Sequence, residues 1–125
     1  MKIEIKSQQA PQPIGPYSQA ILSGNTLYIS GQIPFNVESN FLITTDISHA
    51  TKQVMENIEA ILLAADMDFS HVVKCSIFVT DLSKFAEVNA VYSAFLEHPF
   101  PARETIQVSA LPMGALVEIS AIAVK

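Results

Sequence analysis

Cysteine occurs once in the 125 residues, at Cys75. A single thiol excludes an internal disulfide and a cysteine-built metal cluster, and it suits a reducing compartment. Arginine also occurs once, at Arg103, and the formal net charge is −5. A phosphate backbone calls for clustered positive charge, so this balance speaks against a nucleic-acid partner. The longest apolar run, Ala60 to Ala65, is far too short to cross a bilayer. Met1 to Lys6 alternates polar and apolar residues and lacks the hydrophobic stretch of a signal peptide. A cytoplasmic protein, neither secreted nor membrane-spanning, is the expectation. There is no repeat, no low-complexity tract, no phosphate-cradling glycine loop and no Gly-x-Ser-x-Gly. His49, His71 and His98 have no metal-ligand spacing, so no metal site is assigned.

What is present is apolar: half the residues are hydrophobic and mean hydropathy is +0.34. The length fits one domain, residues 1–125. In so small a domain an apolar excess either fills the core or covers a subunit interface. Ile3 and Ile5 suggest a short strand. Ala10 to Pro16, with three prolines, cannot be helical. Tyr17 to Leu22 and Thr26 to Ser30 read as a hairpin around Ser23-Gly24-Asn25, broken at Gly31-Gln32-Ile33-Pro34. A looser stretch to Thr45 has room for one more short strand. Asp46 is placed to cap a helix whose apolar face is Ile47, Ala50, Val54, Ile58, Ile61, Leu62 and Ala65, ending near Asp66-Met67-Asp68. Val72 to Val79 is a β-branched strand. A second helix runs from about Lys84 to Leu96, and His98-Pro99-Phe100-Pro101 ends it. Thr105 to Ser109 and Leu116 to Val124 then read as a second hairpin around Leu111-Pro112-Met113-Gly114.

This order predicts an α+β domain, a mixed β-sheet covered on one face by two helices. Val72 to Val79 is apolar on both faces, so the bare side of the sheet is expected to pack on something, most simply another copy of the chain. Three residues stand out as chemistry. Arg103 follows a stiff Pro99-Phe100-Pro101-Ala102 lead and offers a planar fork of donors that matches a carboxylate; a structural ion pair is an equally good reading. Glu118 sits among strand formers, on one face with Ser120 and Ile122, and either meets solvent, pairs with a cation or lines a cleft. A C-terminal hairpin would bring it near Arg103, as a salt bridge or as a carboxylate clamp beside a general base. Asn89 lies at the edge of the stripe Phe85, Val88, Tyr92 and Phe95, where it either caps a loop or touches a ligand. Tyr17 and Ser30 are ambiguous strand-end residues, and the backbone of Gly31 can approach a ligand closely. Cys75 reads as a small core residue.

Five segments together resemble the reactive-enamine/imine deaminase (Rid, or YjgF) family. They are Ile14-Gly15-Pro16-Tyr17-Ser18-Gln19-Ala20, Ser30-Gly31-Gln32-Ile33-Pro34, Val88-Asn89-Ala90-Val91-Tyr92, Phe100-Pro101-Ala102-Arg103 with Leu111-Pro112, and Val117 to Ala123. The likeness runs through the whole chain in order. It implies a chorismate-mutase-like fold, in which three sheets meet in a barrel-like homotrimer with clefts between subunits. It also implies an activity: hydrolysis of 2-imino acids such as 2-iminobutanoate and 2-iminopropanoate to 2-oxo acids and ammonia, without a cofactor. Such imines arise where pyridoxal-phosphate-dependent dehydratases release enamines. Carried over, Arg103 grips the substrate carboxylate and Glu118 holds or activates water. Backbone groups of Gly31 and Thr105 contact the substrate, while Tyr17, Ser30 and Asn89 shape the pocket.

Two positions depart from the family pattern. Thr105 stands where some members have cysteine, which argues against thiol chemistry there. Asp66-Met67 replaces a frequent glycine at the helix exit, at a small expected cost in stability. Other readings compete with the deaminase. A chorismate mutase would bind a dianion and need more cations than one arginine supplies. A non-catalytic regulatory binder of small carboxylates would use Arg103 without Glu118. An endoribonuclease or translation inhibitor, activities also attached to the family, is disfavoured by the acidic balance.

Overall fold

The computed structural model describes residues 1–125. Eight strands and two helices follow one another: β1 (Lys2–Ile5), β2 (Ala20–Ser23), β3 (Thr26–Gln32), β4 (Phe35–Asn36), β5 (Phe41–Leu42), α1 (Ile47–Ala64), β6 (Val72–Val79), α2 (Phe85–Ala94), β7 (Ala102–Gln107) and β8 (Val117–Val124). Six strands form one open mixed sheet in the order β1-β2-β3-β8-β6-β7, and β4 and β5 make a separate small hairpin. Both helices cover one face, as the element pattern predicts.

Local chemistry sets the helix ends. Asp46 takes an extended conformation and its side chain accepts from Ser48 N at 2.9 Å, satisfying an orphan amide of the first turn. His49 adds a 2.7 Å contact to the same carboxylate, and His71 stands likewise beside Asp68, so both histidines serve turns. The far end of α1 closes where the Leu62 carbonyl accepts from Ala65 N and Met67 N, and Asp66 takes a left-handed φ of 57°. Aspartate at the usual glycine position is tolerated because its short polar side chain suits that region.

The core lies between the sheet and the helices. Leu27, Ile29, Cys75, Ile77, Val79, Val117, Ile119, Ala121 and Ala123 meet Ala50, Val54, Ile58, Ile61, Leu62, Val88 and Tyr92, all buried. The opposite face, which carries Tyr28, Ser76, Phe78, Ile106, Glu118, Ser120 and Ile122, is covered by neither helix. Tyr28 is 50% exposed and Ile106 46%.

Several expectations need correction. No C-terminal hairpin exists: β7 pairs parallel to β6, while β8 is inserted between β3 and β6. The turn at Leu111–Gly114 instead carries the chain past β6. Alternation along a strand fixes its faces and not its neighbours, and α2 supplies a crossover that makes the parallel β6–β7 pair possible. Thr105 to Ser109 is displaced to Ala102–Gln107, so Arg103 lies within the strand. The strand expected from Tyr17 begins only at Ala20. Gly31 does not break β3; Ser30 and Gly31 form a bulge opposite β8, between the pairs Ile29–Ala121 and Gln32–Ile119.

Candidate active site

Arg103 enters on the sheet edge. It pairs with Cys75, a core residue, so its side chain lies on the helix-covered face, beneath α2. Phe85, Asn89 and Tyr92 are four and three residues apart and line up over it. Arg103 Nη1 donates to Asn89 Oδ1 at 2.7 Å. The guanidinium carbon is 5.4 Å from the Phe85 ring centroid and 5.0 Å from that of Tyr92. Two π faces stabilise the cation without occupying its N–H edges. Arg103 makes no ion pair with any carboxylate. Within the chain the structural ion-pair reading finds no partner, and Asn89 takes one of the fork's donors. The guanidinium faces a cleft of about 460 Å³ lined by Asn89, Tyr92, Phe100, Pro101 and Arg103.

Beneath the guanidinium lie groups the chemistry leaves unused. Tyr92 is 4% exposed and its hydroxyl makes no hydrogen bond of ordinary geometry, although Cys75 stands close enough to couple to it electrostatically. Burial, then Cys75, pushes the Tyr92 phenol far up; burial likewise raises the Cys75 thiol, against the opposing pull of Tyr92 and Arg103. Neither group ionises near neutrality, and Cys75 is the inert core thiol the sequence suggests. Thr105 pairs with Ile77, on the Arg103 face, and its hydroxyl is buried without a partner. Since β7 is the sheet edge, half of its backbone N–H and C=O groups have no strand to bond.

Glu118 stands apart from this. It pairs with Phe78 on the uncovered face, so Arg103 and Glu118 lie on opposite sides of the sheet. They do not meet within one chain, so the proximity expected from a C-terminal hairpin, whether as salt bridge or as clamp beside a base, is absent. Glu118 lines a second cleft of about 400 Å³ with Ile14, Tyr17, Ser30, Gly31, Ile33 and Pro112. It has neither hydrogen bond nor counter-ion, and burial raises its carboxyl above the ordinary value of 4.5. The bulge in β3 brings the backbone of Gly31 against it. A Cβ on Gly31 would lie 2.6 Å from Glu118 Oε2, so glycine is required for this approach.

The five residues expected beside the two charges divide accordingly. Asn89 and Thr105 accompany Arg103, while Tyr17, Ser30 and Gly31 accompany Glu118. Ser30 Oγ donates to Ser18 O at 2.6 Å, which ties the cleft wall to the preceding loop. Tyr17 is half exposed, with its hydroxyl accepting only a long 3.5 Å bond from Ile14 N. The sequence reading missed the aromatic box: Phe85 and Tyr92 pass there as core stripe. The signal was the spacing 85, 89, 92, which sets an amide between two rings on one helix face. It also missed Ile14, Ile33 and Pro112, which come together only through the bulge and loops. No three potential metal-ligating side chains converge anywhere, and no helix is long and apolar enough to cross a membrane.

Residues 7–125 match the family model described as Endoribonuclease L-PSP. The chain is 51% identical over 122 residues to Protein DfrA of Myxococcus xanthus, covering 96% of this chain and 93% of that one. Over 121 residues it is 46% identical to the 2-iminobutanoate/2-iminopropanoate deaminase of Bos taurus, covering 97% and 88% respectively. Among solved structures, YyfA of the conserved Rid protein family from Yersinia pestis superposes with a TM-score of 0.97, at 46% identity and over 100% of both chains.

Proposed function

The chain belongs to the Endoribonuclease L-PSP family, which includes the Rid proteins, and on that premise we propose that it hydrolyses reactive 2-imino acids to 2-oxo acids and ammonia. One observation carries this reading. The sole arginine is held rigidly by Asn89 and two aromatic rings, and no protein carboxylate occupies it. Such a fork is prepared for the carboxylate of a ligand. The relatives that bear the deaminase name, at 45% and 46% identity, supply the matching substrate class.

Glu118 acts as the water-holding base. An imine carbon is already electrophilic, so water needs placement and a proton acceptor rather than a strong nucleophile. Water oxygen bonds to C2 and the C=N electron pair moves to nitrogen, while Glu118 takes the proton released by water and passes it to that nitrogen, giving a neutral carbinolamine. The C–N bond then breaks as the hydroxyl proton is transferred to the departing nitrogen, so that C=O forms and ammonia leaves. A carboxyl raised by burial suits this role, since its conjugate base accepts a proton more readily than a solvated carboxylate does. Placement of the reactants is worth up to about 7–11 kcal/mol in favourable cases.

The opposite-face arrangement supports a site shared between copies. A second copy packed on the uncovered face brings its own Arg103 edge toward the Glu118 cleft of the first, and a closed ring of three such copies is the assembly proposed. Its substrates come from pyridoxal-phosphate-dependent dehydratases in the cytoplasm. The test couples a threonine dehydratase to the protein and follows 2-oxobutanoate while semicarbazide competes for the imine. Acceleration by wild type, lost in Arg103→Ala and reduced at least tenfold in Glu118→Gln, is expected. No acceleration, with 2-oxobutanoate still bound, would make the protein a carboxylate binder instead.

A further inference from the structure

Beside the Glu118 cleft lies a second, more apolar chamber of about 380 Å³ whose lining includes Ile14, Tyr17, Ile33, Phe35, Val37 and Met113. The two spaces adjoin: Ile14, Tyr17, Gly31 and Ile33 line both. Tyr17, one of the shared wall residues, is half exposed, and its hydroxyl accepts only a long 3.5 Å bond from Ile14 N.

The chamber's walls are fixed independently of any ligand. Gln19, 2% exposed, accepts from Ser7 N and donates to the carbonyls of Ser7, Ala10 and Pro11, which anchors the proline-rich wall. Across from it, Asn57 Nδ2 donates to the carbonyls of Ile33 and Phe35, and Gln53 joins Asn57 to Asn36. Buried amides with their bonds satisfied make this a preformed space rather than a gap between mobile loops. The chain has three non-glycine residues in the left-handed region, Asn40, Asp66 and Met113. Asp66 ends a helix; the other two, at φ 60° and 59°, both line this chamber. Asn40 closes the β4–β5 turn, where asparagine suits this region, so Met113 alone carries backbone strain, of the kind found where a ligand is clamped.

We propose that the chamber receives the side chain of the substrate, and that the protein prefers 2-imino acids with a bulky apolar side chain over those with a methyl or ethyl group. This rests on the deaminase reading and names the substrate of that site. With C2 held at Glu118, a side chain passing Tyr17 enters apolar surroundings far larger than an ethyl group fills. Each additional methylene buried in such a pocket changes kcat/KM by about tenfold or more.

An L-amino-acid oxidase, with catalase present and semicarbazide competing, generates the imines of leucine and of 2-aminobutyrate under identical conditions. Wild type is expected to favour the leucine-derived imine about tenfold or more in kcat/KM. Val37→Trp, which fills the chamber, brings that ratio to about one, and Val37→Ala preserves it. Met113→Glu, at an exposed position, lowers the ratio by placing charge at the rim and guards against misfolding of the tryptophan variant. Equal treatment of both imines by wild type, or a ratio unmoved in folded Val37→Trp and Met113→Glu, overturns the proposal while leaving the deaminase reading intact. Should neither imine be accelerated, the deaminase reading fails, and calorimetry with 4-methyl-2-oxopentanoate and 2-oxobutanoate decides the chamber. Tighter binding of the branched acid, abolished in Val37→Trp, keeps it; equal binding removes it.

Discussion

Glu118 combines a carboxylate with half-burial and no partner, and that has a cost that can be read from pH. A carboxyl whose folded pKa lies above its unfolded one holds its proton more tightly when folded. Its ionisation therefore destabilises the fold: the penalty is absent below the ordinary value of 4.5, grows as pH rises toward the folded value, and is complete above it. Glu118→Gln is expected to melt above wild type at pH 7 and together with it near pH 4, although its activity is reduced. A neutral-pH melting temperature below wild type would remove burial as the cause. Gly31→Ala probes the same contact from the other side. The added Cβ meets the mobile end of Glu118 rather than backbone, so the fold gives way cheaply while the carboxylate is displaced. A melting temperature within a few degrees of wild type, with kcat lower by about 10- to 100-fold, is the expected outcome in paired thermal and kinetic assays.

Among the elements, α1 does more than cover the sheet. Asn57, 1% exposed, reaches from its buried face to two carbonyls of the β3–β4 connection. Asn57→Ala leaves both carbonyls and Gln53 Nε2 without that partner. Each buried group so orphaned costs about 1–3 kcal/mol. A urea midpoint lowered by at least about 2 kcal/mol in stability is expected, and an unchanged midpoint would mean that water replaces the amide. These amides illustrate what the sequence could not convey. The stripe of α1, its Asp46 cap and the alternation in β8 follow from short-range periods, so they are legible. The insertion of β8 between β3 and β6 depends on which strands meet, which no local period encodes. The pairing of Arg103 with Asn89 was hidden for the same reason, though Arg103 itself stood out by being single. Gly31 could be marked as a place of close approach, but the bulge that aims it at Glu118 arises only from the register against β8.

For the whole molecule, the decisive fact is that Arg103 and Glu118 sit on opposite faces of one sheet. In the shared-site assembly proposed above, each working cleft draws the arginine from one copy and the carboxylate from another. Arg103→Ala and Glu118→Ala chains, each inactive alone, should regain activity when unfolded together and refolded at equal ratio. Random mixing in a ring of identical interfaces gives about one cleft in four both groups intact, so about a quarter of wild-type activity is expected. No recovery, with mixed assemblies verified by mass spectrometry, would place both groups of a cleft in one chain. The genetic corollary is that two recessive alleles, one damaged at the arginine and one at the glutamate, would cover for each other in a single cell. The unit on which selection acts at this site is then the pair of facing surfaces rather than the single chain.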